Sequence, residues 1–293
     1  MLAAVLTSLR PRQWVKNLFV FAGVVFAQQM FTPLAWRAVA AFVIFCGLSG
    51  AIYLFNDVAD VDKDRLHPQK KERPIAAGLL SIRAAVASGL VLSAASLAAA
   101  FSLSPVFGLT ALGYGVLLTA YSAWLKHLVI LDVLTVATGF VLRAVAGAVA
   151  VDVEISGWLL ICTILIALFL ALGKRRHEYR TLTGNAAAHR PILAEYSEGF
   201  LDQMISVVTA STVTAYALYT MSAETVGKFH TRLLPLTLPF VLYGIFRYLY
   251  LLYRRDLGGN PSDLLVNDRA LLVDALLWML ATLAIIYGPR WTG

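Results

Sequence analysis

Residues 56–68 read Asn56-Asp57-Val58-Ala59-Asp60-Val61-Asp62-Lys63-Asp64-Arg65-Leu66-His67-Pro68, the densest cluster of charge in a very apolar chain. On a continuous helix, Asp57, Asp60 and Asp64 would share one face. Carboxylates that close repel each other unless a cation lies between them, and hard oxygen ligands suit Mg²⁺, which usually bridges them to substrate phosphates. The spacing predicts a Mg²⁺–diphosphate site. A solvated, charge-balanced loop is the alternative, and the spacing leaves open whether Asp62 or Asp64 completes the metal site.

Composition indicates the class of protein. Of the 293 residues, 59% are hydrophobic and 14% are charged, whereas a soluble domain has about half its residues apolar and about a quarter charged. Apolar runs of helical length, separated by short charged loops, predict an all-α polytopic membrane protein rather than a barrel. The net charge of +7 is then explained by cytoplasmic loops and by membrane lipids or phosphate substrates, not by nucleic acid.

About nine membrane spans are predicted within one domain, residues 1–293. They are approximately Leu18–Phe31, Leu34–Phe55, Ser81–Leu103, Pro105–Leu125, Leu128–Val151, Trp158–Leu172, Gln203–Met221, Leu233–Tyr253 and Ala270–Tyr287. With the N-terminus inside, the outer side keeps only four basic residues, which are Arg37, Lys228, Arg232 and Arg290. This asymmetry predicts that the N-terminus and the active site lie on the cytoplasmic side of the cell (inner) membrane. The oligomeric state stays open, a homo-oligomer included.

Basic residues elsewhere are candidates for binding an anionic substrate. Lys70 and Arg73 follow the acidic stretch and can hold outer phosphate oxygens. Arg143 lies inside the fifth predicted span, where a lone charge costs about 3 kcal/mol or more, so an anionic ligand and a structural ion pair explain it equally well. The block from Lys174 to Glu178 suits either phosphate binding or a plain positive-inside stop.

Three further features are expected to be structural. The polar cluster Asn267-Asp268-Arg269 is expected to cap the last span rather than to bind a ligand. Arg247 lies near one end of the eighth span and is expected to extend its charge out of the hydrocarbon. Cys46 and Cys162 lie in apolar runs and are expected to be small core residues.

The chain resembles the UbiA superfamily of intramembrane prenyltransferases. Its Asn56-Asp57-x-x-Asp60-x-x-x-Asp64 element is similar to the first Asp-rich motif of that superfamily. A more specific resemblance, to the decaprenyl-phosphate phosphoribosyltransferase branch, rests on Arg10-Pro11-x-x-Trp14-x-Lys16-Asn17, the run from Asp64 to Gly78, Leu125-Lys126-His127, Leu142-Arg143-Ala144-x-Ala146-Gly147 and Gly173-Lys174-Arg175. These motifs span nearly the whole chain.

The resemblance implies helices around a central cavity that opens to the cytoplasm. It implies Mg²⁺-dependent transfer of 5-phosphoribose from 5-phosphoribosyl 1-diphosphate to a polyprenyl (decaprenyl) phosphate, with pyrophosphate leaving, in the synthesis of cell-wall arabinan precursors. Asp57, Asp60 and Asp64 would hold the metal as catalytic residues, and Asn56 would orient a carboxylate or a ribose hydroxyl. The candidate substrate-binding residues are Lys16, Lys70, Arg73, Tyr121, Lys126, Arg143, Lys174 and Arg175.

One departure from the superfamily pattern separates the candidate functions. Typical members carry a second Asp-rich motif after the sixth span, where this chain has Lys174-Arg175-Arg176-His177-Glu178. A basic block suits phosphates bound directly. Prenyl transfer from a polyprenyl diphosphate to an aromatic acceptor, the second candidate, predicts a second carboxylate cluster there. A lipid or solute transporter, the third, predicts broken helices at mid-membrane and ionisable residues along a whole pathway.

Overall fold

The computed structural model describes residues 2–66, 70–181 and 191–288, and these residues form helices, turns and loops without a β-strand. Eight of the described helices are long and apolar enough to cross a membrane. The all-α, multi-pass membrane architecture is therefore confirmed. His67 and Pro68 of the acidic stretch, and Arg290, lie outside the described residues.

The chain forms two compact units and passes from one to the other at three points, after Trp124, after Val141 within a helix, and after Ile155. The first unit comprises Met1–Trp124 and Leu142–Ile155. Its elements are α1 (Leu2–Ser8), a 3-10 helix (Pro11–Val20), α2 (Phe21–Phe26), α3 (Leu34–Ala59), α4 (Val61–Leu66), a 3-10 turn (Lys70–Glu72), α5 (Ile82–Leu103), α6 (Pro105–Ala123) and the C-terminal part of α7 (Leu131–Ala150).

The second unit comprises Leu125–Val141 and Ser156–Gly293. Its elements are a 3-10 turn (Leu125–His127), the N-terminal part of α7, α8 (Gly157–Thr181), a 3-10 helix (Pro191–Glu195), α9 (Glu198–Met221), α10 (Ala223–Phe229), a 3-10 helix (Leu234–Thr237), α11 (Leu238–Arg254), α12 (Pro261–Asn267) and α13 (Arg269–Tyr287). A single domain over residues 1–293 and a central cavity stay predictions.

Helix α3 is the centre of the first unit. A helix that is apolar on every side is stable only when it is surrounded by other helices, and α3 packs against α5 and α6. The Phe45 ring centroid lies 5.0 Å from that of Tyr114 and 5.9 Å from that of Phe107, and all three side chains are fully buried. The C-terminal end of α3, which carries the acidic stretch, is therefore held on a rigid, packed element.

The first predicted span, Leu18–Phe31, is not a single α-helix. The chain there forms the 3-10 helix Pro11–Val20, the short helix α2 and turns. A 3-10 helix rises about 2.0 Å per residue and an α-helix about 1.5 Å, so these segments of ten and six residues extend about 29 Å, close to the thickness of a bilayer core.

This N-terminal segment runs antiparallel to α3 along most of its length. Three contacts show its course: Arg10 with Asp57, Asn17 with Ser49, and Val24 with Ala38. Because the contacts move from the C-terminal end of α3 towards its start, the segment covers nearly the same depth as α3. The described residues contain eight helices that are long and apolar enough to cross a membrane, and the segment of residues 11–26 is not one of them; the number of about nine spans stays a prediction.

Two glycines allow this segment to lie directly on the C-terminal part of α7. A Cβ atom at Gly147 would lie 1.8 Å from the carbonyl oxygen of Val20, and one at Gly23 would lie 2.6 Å from the backbone nitrogen of Ala148. Only residues without side chains permit backbones to approach so closely, as in other membrane helix contacts.

The last helix, α13, is capped as the sequence predicts. Asp268 accepts a hydrogen bond from the backbone N–H of Leu271 at 2.9 Å. Its two carboxylate oxygens also accept from Arg247, at 3.2 Å from Nε and 2.8 Å from Nη2. The hydrogen bond from Arg247 lowers the pKa of Asp268. Arg247, expected to extend its charge out of the hydrocarbon, thus pairs with the helix cap.

Gly147→Ala is expected to lower the free energy of unfolding by about 1–3 kcal/mol or more, because the new Cβ would overlap the Val20 carbonyl and the backbone must shift. Gly113→Ala is the matched control, since a Cβ there would have nothing within 4 Å and alanine is the better helix former by roughly 0.5–1 kcal/mol. Thermal unfolding of the purified proteins in detergent measures both. A Gly147→Ala melting temperature equal to that of the wild type would contradict the close packing.

Asp268→Asn is expected to destabilise the protein at neutral pH and to have little effect at acidic pH. Asparagine remains a good N-cap, so the variant removes mainly the ion pair with Arg247. Because the folded-state pKa is lowered, the contribution of the carboxylate is complete above the unfolded pKa of about 3.9 and is lost as the pH falls through the lower folded value. Melting temperatures at low salt, from pH 7 to below 4, should therefore converge only below about pH 4. A constant difference over this range would refute the assignment.

Candidate active site

Asp57 is a buried carboxylate in the last turn of α3. The peptide dipoles make the C-terminal end of a helix negative, so a carboxylate there is destabilised unless cations approach it. Two arginines do so: Arg10 pairs with Asp57 Oδ1, and Arg73 Nη1 lies 3.1 Å from the same oxygen. Burial and the helix end thus destabilise the charge of Asp57, and the two guanidinium groups compensate it.

Asp64 joins this cluster through the same arginine. Arg73 Nη1 lies 2.6 Å from Asp64 Oδ2, and Asp64 is 2% exposed. Because α3 ends at Ala59 and α4 begins at Val61, the two carboxylates do not lie on one continuous helix as predicted; the bend at Asp60 brings them to the same guanidinium. We name Asp57, Asp64, Arg10 and Arg73 the carboxylate cluster.

Asp62 does not belong to this cluster. Its side chain is 89% exposed and lies 3.1 Å from Arg65 on the same short helix. Of the two carboxylates that the sequence left open, the structure therefore places Asp64 beside Asp57.

Asp60 is half-buried at the C-terminal cap of α3, where its backbone N–H donates to the carbonyl of Asn56. Among the residues that the structure describes, no three His, Cys, Asp or Glu side chains are grouped so as to hold a metal ion. Metal binding by Asp57, Asp60 and Asp64 together stays a prediction, and the part that the structure assembles is the pair of Asp57 and Asp64.

Arg10 is a member of the cluster that the sequence analysis did not select. Its backbone lies in the left-handed region, with φ 53°, which is uncommon for a residue other than glycine and for one that precedes proline. Such strain costs about 1–3 kcal/mol and persists only where surrounding contacts hold it. Here the guanidinium pairs with Asp57 and lies 4.8 Å from the ring centroid of Tyr53. In the sequence, the signal that could have identified Arg10 was its place in the Arg10-Pro11 motif.

The other candidates of the first unit lie on several elements. Asn56 is half-buried in α3, Lys16 is half-buried in the 3-10 helix Pro11–Val20, Tyr121 is half-buried near the end of α6, and Lys70 is exposed. Their roles in substrate binding stay predictions.

Arg143 lies in a buried polar cluster within the spanning part of the first unit. Its Nε donates to Asn17 Oδ1 at 2.8 Å and its Nη2 donates to the Tyr114 hydroxyl at 2.6 Å. The guanidinium also lies 4.8 Å from the Tyr114 ring centroid, a favourable cation–π geometry. These contacts connect α7 to α6 and to the N-terminal segment. They give Arg143 a structural role, and its binding of substrate stays a prediction.

In the second unit, Arg175 occupies an internal ion pair. Its side chain is 4% exposed, its Nε lies 2.9 Å from Asp132 Oδ2, and its Nη1 contacts Glu178. Asp132 is fully buried and also accepts a hydrogen bond from the Tyr196 hydroxyl at 2.7 Å. Burial, reinforced by this bond to Asp132, raises the pKa of Tyr196. Arg175, a candidate phosphate ligand, thus neutralises a buried carboxylate.

Arg176 is also internal. Its Nε donates to Asp202 Oδ1 at 2.5 Å and its Nη2 donates to Glu198 Oε1 at 2.8 Å. The guanidinium lies 4.0 Å from the ring centroid of Tyr253, so it joins α8 to α9 and α11.

Lys174 differs from both arginines, because 44% of its side chain is exposed. Lys126 is half-buried in the turn Leu125–His127.

The fold and these clusters define a class: an integral membrane protein whose described part is built from helices, with buried carboxylates paired to guanidinium groups. The chain belongs to the UbiA prenyltransferase family, whose model matches residues 17–264. The family predicted from the Asp-rich motif is therefore confirmed.

Relatives and solved structures agree with this assignment. The chain is 30% identical to the decaprenyl-phosphate phosphoribosyltransferase of Mycolicibacterium smegmatis over 98% of this chain and 93% of the relative. It is 33% identical to that of Corynebacterium glutamicum over 96% and 86%. A UbiA homolog from Archaeoglobus fulgidus, solved bound to GPP and Mg²⁺, superposes with a TM-score of 0.75 at 22% identity, over 97% of this chain and 99% of the homolog. This last likeness shows the fold.

Asp57→Asn is expected to lower the free energy of unfolding by about 1–3 kcal/mol, because it leaves two guanidinium groups facing a neutral amide. Asp62→Asn is the matched control, since an exposed ion pair is worth less than about 1 kcal/mol. Thermal unfolding in detergent without divalent cations compares them. An Asp62→Asn effect as large as that of Asp57→Asn would show that the cluster does not form.

Proposed function

We propose that this protein transfers 5-phosphoribose from 5-phosphoribosyl 1-diphosphate to a polyprenyl phosphate, such as decaprenyl phosphate, and releases pyrophosphate. The observation that carries the proposal is the 30% and 33% identity, over nearly the whole chain, to decaprenyl-phosphate phosphoribosyltransferases. The distribution of basic residues supports a cytoplasmic site on the inner membrane.

The carboxylate cluster fits a hard divalent cation. Asp57 and Asp64 are buried oxygen donors that already converge on one positively charged nitrogen, within 3.1 and 2.6 Å of Arg73 Nη1. We assign Mg²⁺ binding to these two residues and to Asp60, at the adjoining helix end. A cation held there would neutralise charge on the leaving diphosphate.

Arg10 and Arg73 have two tasks in this proposal. Without substrate they compensate the buried carboxylates. When the diphosphate binds, guanidinium groups can donate paired hydrogen bonds to its oxygens, which Arg does better than Lys because its donors form a planar fork. Asn56, the neighbour of Asp57, would orient a carboxylate or a ribose hydroxyl.

The transfer needs no strong general base. A phosphate monoester is ionised at neutral pH, so an oxygen of the lipid phosphate attacks C1 of the ribose as the C1–O bond to the diphosphate breaks. The electron pair of that bond leaves with pyrophosphate. Positive charge that develops at C1 is stabilised by nearby carboxylates.

We assign exposed Lys174, of the basic block in α8, to a substrate phosphate. The other two bases of the block, Arg175 and Arg176, are held in internal ion pairs.

Prenyl transfer to an aromatic acceptor remains the second candidate, because the fold matches that of a UbiA homolog solved with GPP and Mg²⁺.

Turnover by the purified protein with Mg²⁺ separates phosphoribosyl transfer from prenyl transfer. One reaction contains decaprenyl phosphate and 5-phosphoribosyl 1-diphosphate; the other contains a polyprenyl diphosphate and 4-hydroxybenzoate. Pyrophosphate and a phosphoribosylated lipid in the first reaction alone, abolished by a chelator, are expected. Product in the second alone would replace the proposal with aromatic prenylation, and product in neither would refute both.

Asp57→Asn and Asp64→Asn are expected to lower kcat by about 100-fold or more, equivalent to about 2.7 kcal/mol of lost transition-state stabilisation. Asp62→Asn should keep wild-type kcat, because its carboxylate faces away from the cluster and is exposed. A readout independent of turnover is the rise in melting temperature on adding Mg²⁺ with pyrophosphate. That rise should disappear in the first two variants only, and its persistence in Asp57→Asn would remove the metal role from that residue.

A further inference from the structure

A chain of contacts, made of hydrogen bonds and then of ion pairs, runs through the second unit and ends at Lys174. The Ile130 N–H donates to the Tyr196 hydroxyl at 2.8 Å, and that hydroxyl donates to Asp132 Oδ1 at 2.7 Å. Asp132 Oδ2 lies 2.9 Å from Arg175 Nε, and Arg175 contacts Glu178. Glu178 Oε1 lies 3.8 Å from Lys174 Nζ. Every link joins a donor or cation to an acceptor or anion.

From Asp132 to Lys174, the exposed fraction of the side chains increases along this chain of contacts. Asp132 and Arg175 have 0% and 4% of their side chains exposed, Glu178 has 20% and Lys174 has 44%. The inner end is therefore fixed by burial, since breaking a buried ion pair leaves an uncompensated charge. The outer end presents one ammonium group to whatever binds there.

The last two links differ in strength. Glu178 contacts Arg175 closely, whereas its other oxygen lies 3.8 Å from Lys174, near the limit of an ion pair. Of these two contacts, the one with Arg175 is the closer. A loosely held ammonium group can turn to a phosphate without first breaking a strong bond, while its side chain stays near the required place.

We propose that Asp132 and Tyr196 are positioning residues that act through Arg175 and Glu178 to hold Lys174 for a phosphate group of the substrate. The inference rests on the proposed function for the identity of that substrate. Arg175 then supports Lys174 instead of binding the substrate. This explains why Arg175, which follows Lys174 directly in the basic block, is buried.

The first test is a double-mutant cycle on substrate binding, with the full chain in detergent. Lys174→Ala is expected to raise the KM for a phosphorylated substrate about tenfold, because a charge-assisted contact is lost. Tyr196→Phe should raise the same KM about threefold or more through the displaced Lys174. In Lys174→Ala, adding Tyr196→Phe should raise it no further. Tyr243→Phe, at a tyrosine that is 49% exposed, is the matched control.

A second test separates positioning from stability. Asp132→Asn and Arg175→Gln each leave one buried charge uncompensated and should lower the melting temperature, whereas the double variant removes both charges and should recover much of the loss. KM should stay raised in the double variant, because Glu178 has lost its anchor. A double variant with recovered stability and wild-type KM would overturn the proposal, as would additive effects of Lys174→Ala and Tyr196→Phe.

The same variants are compared in calorimetric binding of pyrophosphate with Mg²⁺, which does not require turnover. If the wild type lacks phosphoribosyl transfer but its pyrophosphate affinity falls in Tyr196→Phe and Lys174→Ala alike, the proposed reaction fails and the positioning role stands. If transfer occurs and neither variant changes KM or affinity, the reaction stands and the positioning role fails.

Discussion

Each buried charge in this protein needs a partner, and the packing of both units depends on how that need is met. In hydrocarbon an isolated charge costs several kcal/mol or more, and removing one partner of a buried pair leaves that cost uncompensated. Asp57 is met by Arg10 and Arg73 in the first unit. Arg176 is met by Asp202 and Glu198 in the second. These pairs connect elements far apart in sequence, so they select one arrangement of helices that are otherwise uniformly apolar.

The same requirement explains where reactive groups can lie. A carboxylate at the C-terminal end of α3 is opposed by both burial and helix polarity, which makes it a strong site for any cation. Arg10 and Arg73 occupy that place in the structure described, so the carboxylate is compensated without substrate.

The basic block in α8 shows how one sequence pattern can contain two roles. Lys174, Arg175 and Arg176 are consecutive, so they point in directions about 100° apart on the helix. The two arginine side chains are buried, and they pair with the fully buried Asp132 and with the half-buried Asp202. The Lys174 side chain is partly exposed. The sequence left this block open as a phosphate-binding group or a positive-inside stop, because the local pattern does not show which neighbours each of the three side chains meets.

The sequence by itself determined the membrane class, the approximate positions of the eight long helices among about nine predicted spans, a polar cap before the last helix, and the family. These follow from local properties: apolar length, capping chemistry and motif spacing. It also selected Asp57 and Arg73 as candidates, and the structure brings these two side chains into contact. Only the tertiary structure decided that Asp64 rather than Asp62 lies beside Asp57, that part of the N-terminal segment forms a 3-10 helix beside α3, and that Arg10 pairs with Asp57 and Tyr196 with Asp132. Their partners lie 47 and 64 residues away along the chain. Such pairings are set by which helices pack together, and helices that are apolar on all sides carry no periodic pattern that specifies their neighbours.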